Sequence, residues 1–283
     1  MRPRSRIGLV TDSSSQITAD LVERFAVEVV PLTVTIDGVD HLEGVDLDAD
    51  GFYAAFVDGA TPEITTSQPS PGRFAEAYQR LADRGFDEIV SIHISETMSG
   101  TVGSARIAAA SSPVPVTVID TGSASFGVAV CVWATGVAID RGADVDDIRR
   151  RVDQLVPRIS TAFMVGVPML TERSGRAAAV DLGDDEGIPV LGMSRGALEV
   201  IERVSTVDDA VDVMSAYVAG SGGGVTVAIG IADAPSGPMG DRLRRALTGL
   251  DGVDGVVDYR IGPSVGAHTG PGTFGLFVFP TIR

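Results

Sequence analysis

Two clusters of hydroxyl-bearing residues carry the most chemistry in this 283-residue chain: Thr65-Thr66-Ser67-Gln68-Pro69-Ser70 and Ser95-Glu96-Thr97-Met98-Ser99-Gly100-Thr101. Each lies immediately before a segment that reads as a helix. Helix starts leave backbone N–H groups unpaired and carry partial positive charge, so hydroxyls beside them favour an anion. Two such starts together can hold one carboxylate or phosphate with neither a metal nor an amine. His268 and Thr269 lie in a third stretch, Gly262 to Gly272, whose glycines let the backbone approach a ligand closely. Chemistry alone leaves a functional and a structural imidazole equally open at His268.

Ser99 has three readings: a helix cap, a ligand-binding hydroxyl, or a nucleophile paired with His268 as in an esterase or thioesterase. The Gly-x-Ser-x-Gly elbow of such hydrolases is absent, because the local string is Thr97-Met98-Ser99-Gly100-Thr101. A small phosphosugar or dihydroxyacetone-type ligand attached through His268 is a further reading. His93 falls inside an apolar strand and reads as a satisfied core or near-site residue, whereas His41 reads as solvated in an acidic loop beside Glu43. Three scattered histidines and the single Cys131 do not form a zinc pattern. Asp181 to Glu186 lacks calcium-loop spacing, and Gly270 to Gly275 follows the wrong kind of segment for a dinucleotide fingerprint. No cofactor is expected. Arg173 and Arg176 flank Ser174-Gly175, either as surface charge or as a patch that forks onto phosphate oxygens.

All 22 basic residues are arginine, against 38 acidic ones, for a net charge of -16. That balance opposes nucleic-acid binding and adhesion to an anionic membrane. Without lysine there is no P-loop and no Schiff-base chemistry. The N-terminal apolar run Ile7 to Val10 is too short for a signal-peptide core. Thr121 to Ile139 is too rich in Gly, Ser and Thr for a membrane span and reads as a buried helix. The expected location is the cytoplasm.

The elements that must position these residues fall into two groups. Up to about residue 157, apolar strands (Ile7 to Val10, Glu88 to Ile94, Pro115 to Ile119) alternate with Ser/Thr/Gly loops and helices, the signature of a parallel sheet in an α/β domain. Ligands bind such sheets beyond the carboxyl ends of the strands, where these loops lie. Val29 to Ile36 reads as one strand with Pro31 at an edge. Asp37-Gly38 reads as a turn, Phe52 to Val57 as one or two helical turns, and Phe74, Tyr78 and Leu81 mark one face of a helix after Pro71. Val145 to Val156 reads as a charged amphipathic helix. From 158 to 283 the pattern is mostly strands, with helices at Val207 to Ala219 and Pro238 to Gly249. It predicts an α+β domain whose sheet is covered on one side. Gly220 to Gly224 reads as a surface loop.

In order and spacing these strings resemble the DegV family of fatty-acid-binding proteins. The matching pieces are Val10 to Ser14, Thr66 to Pro71, Ser91 to Ser95 with Ser99-Gly100-Thr101, Asp120 to Ser125, Ser174-Gly175-Arg176, and Gly262-Pro263 with Gly266 to Gly272. The resemblance implies two domains, 1–157 and 158–283, with a ligand tunnel between them. It implies a non-enzymatic lipid carrier, similar to the lipid-carrying subunit of bacterial fatty acid kinases. There a separate ATP-binding subunit phosphorylates the carboxyl group of the bound acid to an acyl phosphate. The implied ligand is a long-chain fatty acid such as palmitate, stearate or oleate. By resemblance Thr66 and Ser99 hydrogen-bond its carboxylate, with Ser67, Gly100, His268 and Thr269 around the head group. Arg173, Arg176 and Arg203 would face the kinase. The basic region departs from the family pattern: Gly192 to Arg195 lacks a Lys-Pro feature, and Glu202-Arg203-Val204-Ser205 is a weakened basic motif.

Overall fold

The computed structural model describes residues 5–167, 187–194 and 197–283. In chain order, β1 (Ile7–Asp12) leads through Ser13–Ser15 to α1 (Ala19–Phe25) and β2 (Glu28–Val30). The expected single strand across Val29 to Ile36 is two. Pro31 has no N–H to donate, and the Leu32 N–H turns to the Ser13 hydroxyl at 2.9 Å. The chain therefore leaves one sheet after β2 and enters another as β3 (Thr33–Ile36). Asp37 (φ 48°) and Gly38 (φ 82°) make the tight turn to β4 (Val39–Leu42), both left-handed as a two-residue hairpin requires. His41 thus belongs to a strand opposite Val34 rather than to a loop. α2 (Ala49–Ala54), β5 (Ile64–Ser67) and α3 (Pro71–Asp83) follow, with Phe74, Tyr78 and Leu81 all buried as their spacing requires.

Next come β6 (Glu88–His93), α4 (Thr101–Ala109), β7 (Val116–Asp120), α5 (Phe126–Asp140) and α6 (Val145–Leu155). Strands β2-β1-β6-β7 form a parallel sheet. Helices α3 and α4 pack on one face, around Val10, Phe74, Tyr78, Ile89 and Ala105. On the other face, α5 and α6 pack around Leu9, Ile92, Val128, Val132 and Ile148. The loops after β1, β6 and β7 open at the same end, as parallel strands demand. β3, β4 and β5 form a separate three-stranded sheet in the order β4-β3-β5.

The remaining elements are β8 (Ser160–Met164), β9 (Ile188–Ser194), β10 (Ala197–Val204), α7 (Val207–Ala219), β11 (Val225–Ile231), α8 (Gly237–Leu247), β12 (Val253–Arg260), α9 (Pro263–Thr269) and β13 (Phe274–Pro280). They build a mixed sheet in the order β10-β9-β8-β13-β11-β12, antiparallel except for β11 with β12. One face is covered by α7 and α8, through Met214, Val218, Leu243 and Leu247. The other face is covered too, contrary to expectation. Ala228, Tyr259, Phe277 and Phe279 pack against Phe126, Ala129 and Val130 of α5 and against Phe52 and Tyr53 of α2. The second sheet is therefore the floor on which the first lobe sits.

No helix among the described residues is long and apolar enough to cross a membrane. Arg173, Arg176, Arg195 and the acidic run Asp181 to Glu186 lie outside the described residues.

Candidate functional site

The stretch Gly262 to Gly272, to which the sequence reading assigned no element, holds a helix over Pro263–Thr269. Proline at its first position needs no N–H partner. A carboxylate satisfies the next donor: Glu43, buried, accepts the Ser264 N–H at 2.9 Å, the favourable sign of charge for a helix start. The Ser13 hydroxyl donates to Glu43 at 2.5 Å, and Gln16 Oε1 accepts the Gly262 N–H at 2.5 Å. Residues of the first lobe thus fasten α9 and place Ser264, Val265, His268 and Thr269 along one cavity wall.

That cavity, of about 390 Å³, lies between the parallel sheet's loops and the mixed sheet. Thr66, Ser67, Ser99, Gly100, His268 and Thr269 all line it. His268 Nε2 lies 3.0 Å from Thr66 Oγ1. The Ser99 hydroxyl pairs with Thr101 Oγ1 at 2.8 Å. The end of β5 and the start of α4 meet here, since a Cβ on Gly100 would overlap the Gln68 amide. Ser67, Gln68 and Gly100 are exposed, whereas Thr66, Ser99 and His268 are half-buried, so the hydroxyl-rich end is the mouth. The rest of the lining combines apolar Leu32, Ile94, Phe163, Met193, Leu198 and Phe277 with the buried hydroxyl residues Ser14, Ser125, Thr161, Ser264 and Thr273. Phe163 and Gly275 stand opposite one another on β8 and β13, and Phe277 lies two residues further on, so period-two alternation turns them to the same face.

One expectation about the mouth is corrected. Thr66 and Ser67 belong to a strand, not to a helix start, and the cap of α3 is the Ser70 hydroxyl, which accepts the Arg73 N–H at 3.4 Å. The cavity wall therefore carries the starts of α4, at Ser99 and Gly100, and of α5, at Ser125, but not that of α3. The hydroxyls of β5 arrive by strand pairing with β3, where Thr66 stands opposite Val34.

The structure adds residues that motif reading passed over. Ser264 lines the cavity, is only 4% exposed, and its hydroxyl has no hydrogen-bond partner. Left unpaired, such a group costs about 1–3 kcal/mol. Its spacing of four from His268 was the available signal, one turn along a helix. Ser125, also on the wall, holds φ 52° and ψ −141° at the start of α5, a conformation that residues with a Cβ avoid. Ser14 lines the cavity through its place after β1 and donates its hydroxyl to Asp12.

Behind the mouth runs a fully buried chain. Asp12 Oδ2 lies 2.8 Å from His93 Nδ1, His93 Nε2 lies 2.6 Å from the Ser91 hydroxyl, and that hydroxyl lies 2.9 Å from the Tyr78 hydroxyl. His93 is therefore a satisfied core residue, one of the two readings that its strand context left open. Burial pushes the Tyr78 hydroxyl up to about 12, against the opposing pull of its bond to Ser91. Cys131 is buried on α5, and burial pushes its thiol up to about 12. Among the described residues no group of three His, Cys, Asp or Glu side chains could hold a metal ion.

A two-lobed α/β protein with an apolar ligand cavity between its sheets is the class this fold and site define. The chain belongs to the DegV family, whose model matches residues 6–281. It is 33% identical to a DegV domain-containing protein of Streptomyces coelicolor, the alignment covering 96% of this chain and 98% of that one. A DegV domain-containing protein of Mycobacterium tuberculosis is 32% identical over 95% of this chain and 96% of its own length. Among solved structures, a DegV family protein from Thermus thermophilus, described as fatty-acid-binding, superposes with a TM-score of 0.87 at 31% identity. That match covers 98% of this chain and 100% of that one. DegV from Bacillus subtilis, at 22% identity and a TM-score of 0.88 over 98% of this chain and all of that one, shares the fold.

Proposed function

We propose that this protein is a non-catalytic carrier of a long-chain fatty acid such as palmitate, stearate or oleate. The tail lies along the apolar walls, and the carboxylate is held at the mouth by the Thr66 and Ser99 hydroxyls beside His268. Ser67, Gly100 and Thr269 complete the head-group end. The observation that carries this reading is one cavity lined both by that hydroxyl cluster and by apolar Leu32, Phe163, Met193 and Phe277. The related Thermus thermophilus protein, described as fatty-acid-binding, supports it. Burying about fifteen methylenes at ~0.8 kcal/mol each supplies a gross ~12 kcal/mol. Ordering the ligand offsets much of that. The tail thus supplies affinity, while the neutral donors fix register and discriminate against esters.

The hydrolase reading draws less support. Ser99 pairs with Thr101, and the imidazole nitrogen that would act as base sits against Thr66. The apolar walls likewise disfavour a phosphosugar. Native mass spectrometry of the purified protein is expected to show a co-purified acyl chain. A clean apo mass with no uptake of added palmitate contradicts the carrier reading.

Within this reading the lobes 1–157 and 158–283 act as two domains. The carrier works in the cytoplasm, presenting the carboxylate to an ATP-binding kinase subunit for acyl-phosphate formation. Arg203, on β10 and with its Nη1 3.4 Å from the Gly187 carbonyl oxygen, faces that partner together with Arg173 and Arg176. Formation of acyl phosphate from palmitate and ATP, with a purified kinase subunit and dependent on this protein, is the expected result. Its absence removes the kinase from the account without touching lipid binding.

A further inference from the structure

The molecule has a second, larger cavity. A cleft of about 710 Å³ lies beside β12, walled by α1, β2 and the 43–49 loop on one side and by β12 and α8 on the other. The two cavities are one backbone apart. Ser13 lines the cleft and Ser14 the acyl cavity; Pro31 and Leu32 divide in the same way, and so do Pro263 and Ser264. Among the described residues Tyr259 alone lines both.

The Tyr259 ring occupies its place for a readable reason. In the mixed sheet Gly230 pairs with Gly275 on one side and with Tyr259 on the other. Two glycines in one row leave the sheet bare there, and the Tyr259 ring fills the gap, so that a Cβ on Gly230 would overlap it. From above, Phe126 at the start of α5 stacks on the ring at 4.7 Å between centroids and 23° between planes. Phe277 flanks it at 6.3 Å. Tyr259 is buried, whereas Ser67, Gln68 and Gly100 at the hydroxyl end are exposed. The ring therefore stands at an inner wall, away from the mouth, where α5 closes onto the sheet.

Resting on the fatty-acid reading above, we propose that Tyr259 is the partition that sets the longest acyl chain this protein accepts. With the ring removed, the acyl cavity continues over Gly230 toward the larger cleft. The limit is steric: the ring's bulk is what matters and its hydroxyl, beside Ser125, is dispensable.

The test compares the wild type with Tyr259→Ala, Tyr259→Leu and Tyr259→Phe, using myristate, palmitate, stearate, arachidate and behenate as ligands in displacement of a fluorescent acyl probe. Wild type and Tyr259→Phe are expected to lose affinity by about tenfold or more at the same step of this ladder. Tyr259→Ala should move that step to a longer acid while still binding palmitate. Tyr259→Leu, which keeps an aliphatic packing group, serves if the alanine variant does not fold. A folded variant that binds palmitate yet fails at the same acid as wild type overturns the proposal. If wild type binds none of the acids, the carrier reading fails instead. The partition is then judged by a crystal structure of the variant: one joined cavity upholds it, and two separate cavities overturn it.

Discussion

His93 and His268 each face a hydroxyl, at 2.6 Å from Ser91 and 3.0 Å from Thr66. Both lie beyond or near the carboxyl ends of strands, the region where α/β sheets place their sites. The Asp12–His93–Ser91 series even has the order of a hydrolytic triad. Yet Ser91 is fully buried and turned toward Tyr78, so no substrate reaches it. At His268 the neighbouring hydroxyls open onto a cavity with apolar walls. Identical side-chain chemistry thus builds a buried scaffold in one place and the wall of an open cavity in the other. Access, not residue type, separates them.

The comparison breaks most readily at the scaffold. Asp12→Ala removes the acceptor for His93 Nδ1 and for the Ser14 and Ile94 backbone N–H groups. At about 1 kcal/mol or more for each donor left buried and unpaired, stability should fall by at least ~3 kcal/mol in denaturant titration. A loss below ~1 kcal/mol would mean that the network is not structural. His268→Ala, by contrast, should change the unfolding free energy by less than ~1 kcal/mol, as expected for a half-buried group, while weakening palmitate binding. If both variants shift stability equally, the distinction between the two regions fails.

Alkaline pH probes the buried hydroxyls and the buried thiol. Tyr78 and Cys131 ionise near 12 in the folded protein, against ordinary values of 10.0 and 9.0. Their folded-state pKa values are raised, so the unfolded chain loses these protons first. Stability is full below about pH 9 and declines as pH climbs toward about 12. Cys131 should likewise resist thiol reagents at pH 8 until the protein unfolds, because only the thiolate reacts and burial suppresses it. Rapid labelling of native protein would contradict this. The smallest effect belongs to Ser264. Removing its unpartnered hydroxyl in Ser264→Ala should leave the ligand-free protein unchanged or up to ~1 kcal/mol more stable by thermal melting. A clear loss would reveal a partner for it within the protein.

How much of this was legible beforehand follows local physics. The face Phe74, Tyr78 and Leu81 of α3 and the largely buried α5 could be read from spacing and composition, because burial imposes those patterns. The break at Pro31 needed knowledge that Leu32 bonds to Ser13, a contact nineteen residues apart. Helix α9 escaped because it is only seven residues long and Gly266 disfavours helix in its interior. Glu43 and Gln16, far away in sequence, supply the clamps that hold its start. Thr66, Ser99 and His268 were identifiable as candidates by type. Their meeting at one mouth depends on strand pairing and on lobe packing, which no short motif encodes. Tyr259 had no sequence signal at all, since its position follows from the bare glycine row beside it.

The most direct test is palmitate affinity, measured calorimetrically on wild type and on the Thr66→Val, Ser99→Ala double variant, with thermal melting as the control for folding. Two hydrogen bonds to a charged head at about 1.5–3 kcal/mol each predict a loss of at least a hundredfold with the melting point essentially unchanged. Equal affinity in the two proteins would show that the carboxylate is held elsewhere, and would contradict the account.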